Sequence, residues 1–201
     1  MNPLNSVRGS IITAFVLAAI ISVWLSLLVG SEIGAYPQIG RWLHTVSGVM
    51  WIGLLYYFNV VQVPGLADAA ADKGGPGGAG ISKYIAPRAL WWFRWAAVVT
   101  WITGAYYLAF GFGSTKVLHQ AFMLEPGFRT IGVGAWLGTI MLFNVWVLIW
   151  PNQKKILGIV AATDAEKAQA RKVATLASRT NFALSIPMLL CMGSATHGLP
   201  F

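Results

Sequence analysis

The sequence predicts an all-α integral membrane protein: a single membrane domain over residues 1–201, built as a bundle of about five transmembrane helices. Two observations carry this. Of 201 residues, 57% are hydrophobic and only 10% are charged, against roughly 25% charged in an ordinary soluble domain. A soluble fold needs a largely polar skin, which this composition does not supply. The apolar residues are also gathered into long blocks. Each is roughly 20 residues, the length that about 30 Å of hydrocarbon demands of a helix.

The first block, 11–30, follows Arg8. It is longer than the core of a secretory signal, and Val29-Gly30-Ser31 is a poor cleavage site, so a retained anchor is expected. The second, 43–63, opens behind Trp42. The third, 89–112, carries Trp91, Trp92 and Trp95 at its start, together with Arg94, whose long side chain can snorkel to the interface. The fourth, 130–150, closes on Trp146 and Trp150, and Pro151-Asn152-Gln153-Lys154-Lys155 reads as its stop. Within it, Gly134 and Gly138 form a Gly-x-x-x-Gly pair suited to close helix packing. The fifth, 180–198, follows a charged amphipathic stretch, Asp164 to Arg179, expected to lie along the inner surface. Lipid offers the backbone no water, so these blocks are helices and not strands. The run from Gly74 to Gly80 is a flexible loop without the Gly-Lys-Ser/Thr ending of a phosphate loop.

Charge predicts the orientation. Arg8, Lys73, Lys83, Arg88, Arg94, Lys154, Lys155, Lys167, Arg171, Lys172 and Arg179 fall on one side of a five-span arrangement. Only Arg41, Lys116 and Arg129 fall on the other. Basic residues concentrate on the cytoplasmic side, so the N-terminus is expected in the cytoplasm and the C-terminus outside. The same bias accounts for the net charge of +8 through topology and contact with anionic lipid. No basic patch lies on a recognisable nucleic-acid module, and no nucleic-acid partner is expected.

The chemistry rests on few residues. The single cysteine, Cys191, excludes an intrachain disulfide and a Cys-x-x-Cys-His haem attachment within the chain. No Ser-His-Asp order, paired-carboxylate site or His-Glu-x-x-His motif is present, which argues against hydrolase chemistry. The predicted topology puts all three histidines on the outer side. His44, Gly48, Trp51, Leu55, Asn59 and Gln62 share one helical face of the second span. Gly48, one turn from His44, leaves room for a flat ligand. His44 and His197 can supply axial nitrogens to a haem between the second and fifth spans, with Gly48, Trp51 and Asn59 alongside. Two other readings stay open. The histidines can bond across helices or to headgroups, or bind copper with Met188 and Met192 nearby. His119 reads as a surface residue, and Asn144, Asn181 and Ser185 as interhelical hydrogen-bonding groups.

Arg41-Trp42-Leu43-His44, Gly48, Trp51-Ile52-Gly53 and Tyr57-Phe58-Asn59 resemble the opening of the membrane domain of the bacterial urate hydroxylase family, the membrane-bound urate oxidases with a cytochrome c tail. Phe93-Arg94-Trp95, Thr100-Trp101, Gly104, Asn144-Val145-Trp146, Pro151-Asn152-Gln153, Asn181, Pro187 and Met192 extend the likeness. At the closing motif Ser194-Ala195-Thr196-His197 stands where an Asn directly before the His is the family pattern. The resemblance implies a redox protein of the bacterial inner membrane, with haem b held by His44 and His197. Electrons would leave to a separate periplasmic cytochrome c. The alternative, from a different class, is a non-catalytic subunit packed against a larger respiratory or photosynthetic complex. The looser likeness of the His-to-Trp-Ile-Gly opening to copper-resistance membrane domains keeps copper as the alternative metal.

Overall fold

The structure, a computed structural model, describes residues 2–29 and 36–200. Gly30 and Ser31, at the end of the first predicted span, lie outside the described residues. The described residues are helical and contain no strand. They form α1 (Val7–Val29), α2 (Tyr36–Ala71), α3 (Ala86–Phe110), α4 (Lys116–Phe122), α5 (Arg129–Ile156) and α6 (Asp164–Ser194). The chain divides into two compact units, residues 1–39 and 40–201.

In the first unit a 3₁₀ turn, Pro3–Asn5, leads towards α1, and the Asn2 side chain accepts from the Leu4 N–H at 2.9 Å. α1 is strongly apolar, with a mean hydropathy of 2.6 and no charged residue after Arg8. A helix of this character is built for lipid or a protein interior.

Among the described residues three helices are by length and composition apolar enough to cross a membrane: Val7–Leu28, Tyr36–Ala71 and Arg129–Ile156. These coincide with the first, second and fourth predicted spans. The third and fifth coincide in position with α3 and the second half of α6.

Three rods of the second unit share a device. π-helical turns occupy Tyr57–Gln62, Ile81–Ile85 and Asn144–Ile149, and each is followed two residues later by a proline: Pro64, Pro87 and Pro151. A proline inside a helix lacks the N–H for the preceding turn, and its ring clashes with the carbonyl there. Widening that turn relieves the clash and lets the rod continue. Pro151 therefore does not stop the fourth span, as the sequence suggested. α5 runs on to Ile156 and ends at Gly158, whose φ of 73° suits glycine. Asn152 supports the turn by donating from Nδ2 to the Leu148 carbonyl at 2.7 Å.

The charged stretch from Asp164 also departs from expectation. It does not lie apart as a surface helix, but is the first half of one continuous 31-residue helix. Ala170, Ala174, Ala177, Asn181, Ser185 and Met188 are buried at steps of three and four residues, so a single face packs along the full length. Its start is fixed by a capping box: the Glu166 N–H reaches the Thr163 hydroxyl at 3.3 Å, and the Thr163 N–H reaches Glu166 at 2.7 Å.

The core is shared by α2, α3, α5 and α6 and centres on Trp51, Leu55, Phe93, Met141, Val145 and Met188. Gly134 lets α5 approach α6, since a Cβ there would stand 3.0 Å from the Cys191 Cβ. Gly138, its partner in the sequence motif, has nothing within 4 Å of that position. Arg94 is a further correction. It does not snorkel outward but is 8% exposed, with its guanidinium over the Trp150 ring.

Candidate functional site

α2 and α3 meet along a seam of small residues. A Cβ on Gly104 would lie 2.7 Å from both Cε1 and Nδ1 of His44, so only glycine admits the imidazole at this point on α3. One turn along, a Cβ on Gly48 would touch the Thr100 methyl at 3.7 Å. Thr100 itself is buried and turns its hydroxyl back to the Ala96 carbonyl at 2.7 Å. Its own carbonyl is met by His44 Nδ1, also at 2.7 Å.

That bond assigns the ring. A carbonyl oxygen only accepts, so Nδ1 carries the proton and donates it. In the neutral imidazole Nε2 is then the lone-pair nitrogen. A backbone carbonyl holding one ring nitrogen is the usual way in which proteins orient a ligating histidine. His44 is half-buried, which leaves the ring reachable.

The rest of the predicted face divides between two neighbours. Trp51 is 2% exposed, and its Nε1 has no hydrogen-bond partner. Leu55 is fully buried in the core. Asn59, in the first π turn, donates from Nδ2 to the Leu55 carbonyl and to the Ser178 hydroxyl on α6, each at 2.9 Å. Tyr56 reaches Ser185 on α6 at 3.0 Å. His44 and Gly48 thus face α3, while Tyr56 and Asn59 tie α2 to α6. His197 lies exposed three residues beyond the end of α6, and the hydrogen bond of His44 runs to α3.

The remaining polar residues behave as structure. Asn144 donates to the Asn181 Oδ1 at 2.8 Å, and Asn181 donates to the Met141 carbonyl at 2.9 Å. Both are interhelical bonds, as their positions in apolar segments implied. His119 is exposed and stands 3.9 Å from Glu125. Met188 is buried in the core and Met192 packs against it. Among the described residues no group of three His, Cys, Asp or Glu is placed to hold a metal ion.

The family model described as urate oxidase N-terminal matches residues 114–201. Over this stretch the chain is similar to that family. No curated protein and no solved structure matches the chain. The urate oxidase-related stretch covers α4, α5 and α6, and so contains the Asn144–Asn181 pair and His197. His44, Thr100 and Gly104 precede it, so the α2–α3 seam stands on its own geometry.

Proposed function

We propose that this urate oxidase-related chain is an inner-membrane redox protein that holds a haem b through His44 and passes electrons to a separate periplasmic cytochrome c. The observation that carries this reading is the His44–Thr100 bond. It holds the proton on Nδ1 and leaves Nε2 as the lone-pair nitrogen through which His44 would hold the iron. Gly104 is what lets the His44 ring seat against α3 and so fixes the imidazole in place. His197, exposed beyond the end of α6 and inside the matched stretch, is the residue that would supply a second nitrogen to the haem in this reading. Bound haem supplies a one-electron carrier, and the protein supplies ligation, orientation and burial. Copper is the alternative metal for the same imidazole nitrogen.

The test is a visible spectrum, oxidised and then dithionite-reduced, of the full chain purified in mild detergent, with His44→Ala beside it. A b-type spectrum that is lost or shifted in the variant, with reduction of added cytochrome c by the wild type, is the expected result. A colourless wild type free of copper by elemental analysis overturns the redox reading.

That outcome would favour the accessory-subunit reading. The exposed indoles of Trp91, Trp92 and Trp95 along α3 support it as a docking face. Its positive sign is stable co-purification with a larger membrane complex that assembles normally around a His44→Ala, His197→Ala chain.

A further inference from the structure

Arg94 is the most heavily buried charge of the second unit, and two of its donors, Nε and Nη1, have no hydrogen-bond partner. Its Cζ stands 3.3 Å above the centroid of the Trp150 ring. Lys154, one turn further along α5, brings its Nζ to 5.9 Å from the same ring. Two cations therefore share one indole, and among the described residues neither forms an ion pair with a carboxylate. Stacking on an aromatic face offsets part of the cost of burying a guanidinium. It leaves the in-plane N–H groups unmet, and a second like charge beside them raises the cost. An oxyanion would answer both demands at once, because a guanidinium fork suits phosphate and a lysine adds a point charge.

The same seam holds an apolar groove. α3 and α5 run antiparallel here, joined by the Arg94–Trp150 stack, by Trp95 edge-on to Trp146 at 5.5 Å, and by the Trp101 indole donating to the Thr139 hydroxyl at 2.9 Å. Beyond Arg94 a groove of ≈ 370 Å³ opens between Val98, Trp101, Thr139, Leu142, Phe143 and Trp146. The Trp101 N–H is spent on the Thr139 hydroxyl, which itself donates to the Ala135 carbonyl at 2.8 Å, so the groove itself is apolar. From Trp150 to Thr139 the helix spans about 16 Å at its usual rise. Trp146, which lines the groove, also has the Arg94 guanidinium 6.0 Å from its ring, so the cationic end and the apolar slot share this one residue.

We propose that the α3–α5 seam binds an anionic phospholipid, its phosphate on Arg94 and Lys154 and an acyl chain in the groove from Val98 to Phe143. Charge and shape together select this occupant. Free phosphate would satisfy the cations and leave the groove empty, and a neutral lipid would do the reverse. In the orientation that the loop charges predict, this end faces the cytoplasmic leaflet, where basic pockets between helices take anionic headgroups.

The test is a titration of the full chain in a non-ionic detergent with phosphatidylglycerol, followed by native mass spectrometry and by thermal unfolding. Phosphatidylglycerol should bind as a discrete adduct and raise the melting temperature. Arg94→Gln should weaken half-saturation by about tenfold to a hundredfold, as expected for loss of charge-assisted hydrogen bonds. Lys154→Gln should weaken it less. Val98→Phe, which fills the groove and leaves both cations in place, should weaken lipid binding and leave any response to inorganic phosphate unchanged. Lys154→Gln and Val98→Phe carry the test if Arg94→Gln fails to fold. Equal half-saturation in the wild type and in both of these variants overturns the proposal. So does equal stabilisation by inorganic phosphate alone, which marks a free-anion site, or by an uncharged lipid, which marks ordinary solvation by lipid.

Discussion

The two polar seams of the second unit are built from similar material and are satisfied in opposite ways. Between α5 and α6, Asn144, Asn181 and the Met141 carbonyl bond one another in a closed chain. Between α2 and α3, His44 spends one ring nitrogen on the Thr100 carbonyl and keeps the other. A polar group in an apolar bundle costs free energy unless it is paired. The closed chain is therefore an interhelical fastener and nothing more is required of it. The half-spent imidazole is held in a fixed orientation with a ligating atom to spare, which is what a binding site needs. Arg94, buried with two unmet donors, belongs with the second kind.

The largest expected effect tests the tighter of these contacts. Gly104→Leu places side-chain atoms where the His44 ring lies, and overpacking of this kind costs about 1–3 kcal/mol. Thermal unfolding in detergent should show the loss. The same variant should disturb the haem spectrum if the proposed ligation holds. A variant as stable as the wild type would mean that the α2–α3 seam is loose. Next, Asn181→Leu strands the Asn144 amide, at about 1–3 kcal/mol for a buried group left unpaired, while the Met141 carbonyl keeps the Asn144 backbone N–H. Pairing it with Asn144→Leu should recover part of that loss, since the two act as one unit. Strict additivity in the double mutant would break the picture of a closed chain. Thr100→Ala should cost no more than about 1 kcal/mol, because His44 bonds the backbone carbonyl and not the hydroxyl. A loss as large as that of Gly104→Leu would point to the hydroxyl as the partner.

The smallest effect concerns the start of α6. The backbone and side chain of Thr163 hold the Glu166 carboxyl below its ordinary range. A lowered folded value means that the capping contribution is fully present above the unfolded carboxylate pKa. It is lost as pH falls through the lowered one. Amide exchange of the first turn of α6 should therefore stay slow at neutral pH and quicken only in acid. The Thr163→Ala variant should exchange faster at neutral pH and show little further change.

Much of this organisation was legible from residue order. Long apolar blocks located the three helices apolar enough to cross a membrane and the positions of α3 and the second half of α6, because backbone hydrogen bonding in lipid permits little besides helix at such lengths. The face bearing His44, Gly48, Trp51, Leu55 and Asn59 was readable from helical spacing, and Asn144 and Asn181 were readable as polar groups in need of partners. Proline misled at Pro151, where the π turn ahead of it absorbs the missing donor. A local rule about proline cannot see that a turn has already been widened. Arg94 misled for a similar reason. Its place near a span end allowed an outward reach, and only the arrival of Trp150 from α5 made the inward one favourable.

Sequence by itself determined the all-helical class of the protein, the apolar character of its long helices and their positions, since these follow from composition and period along one chain. It also carried the similarity to the urate oxidase N-terminal family over residues 114–201. Tertiary structure alone decided which helix each polar side chain meets. His44 turns to α3 because Gly104 leaves space for a ring there and Thr100 offers a carbonyl. Asn59 turns to α6 because Ser178 stands opposite. Such choices depend on atoms tens of residues away, brought within about 3 Å by packing, and helical spacing on one strand of sequence holds no record of them.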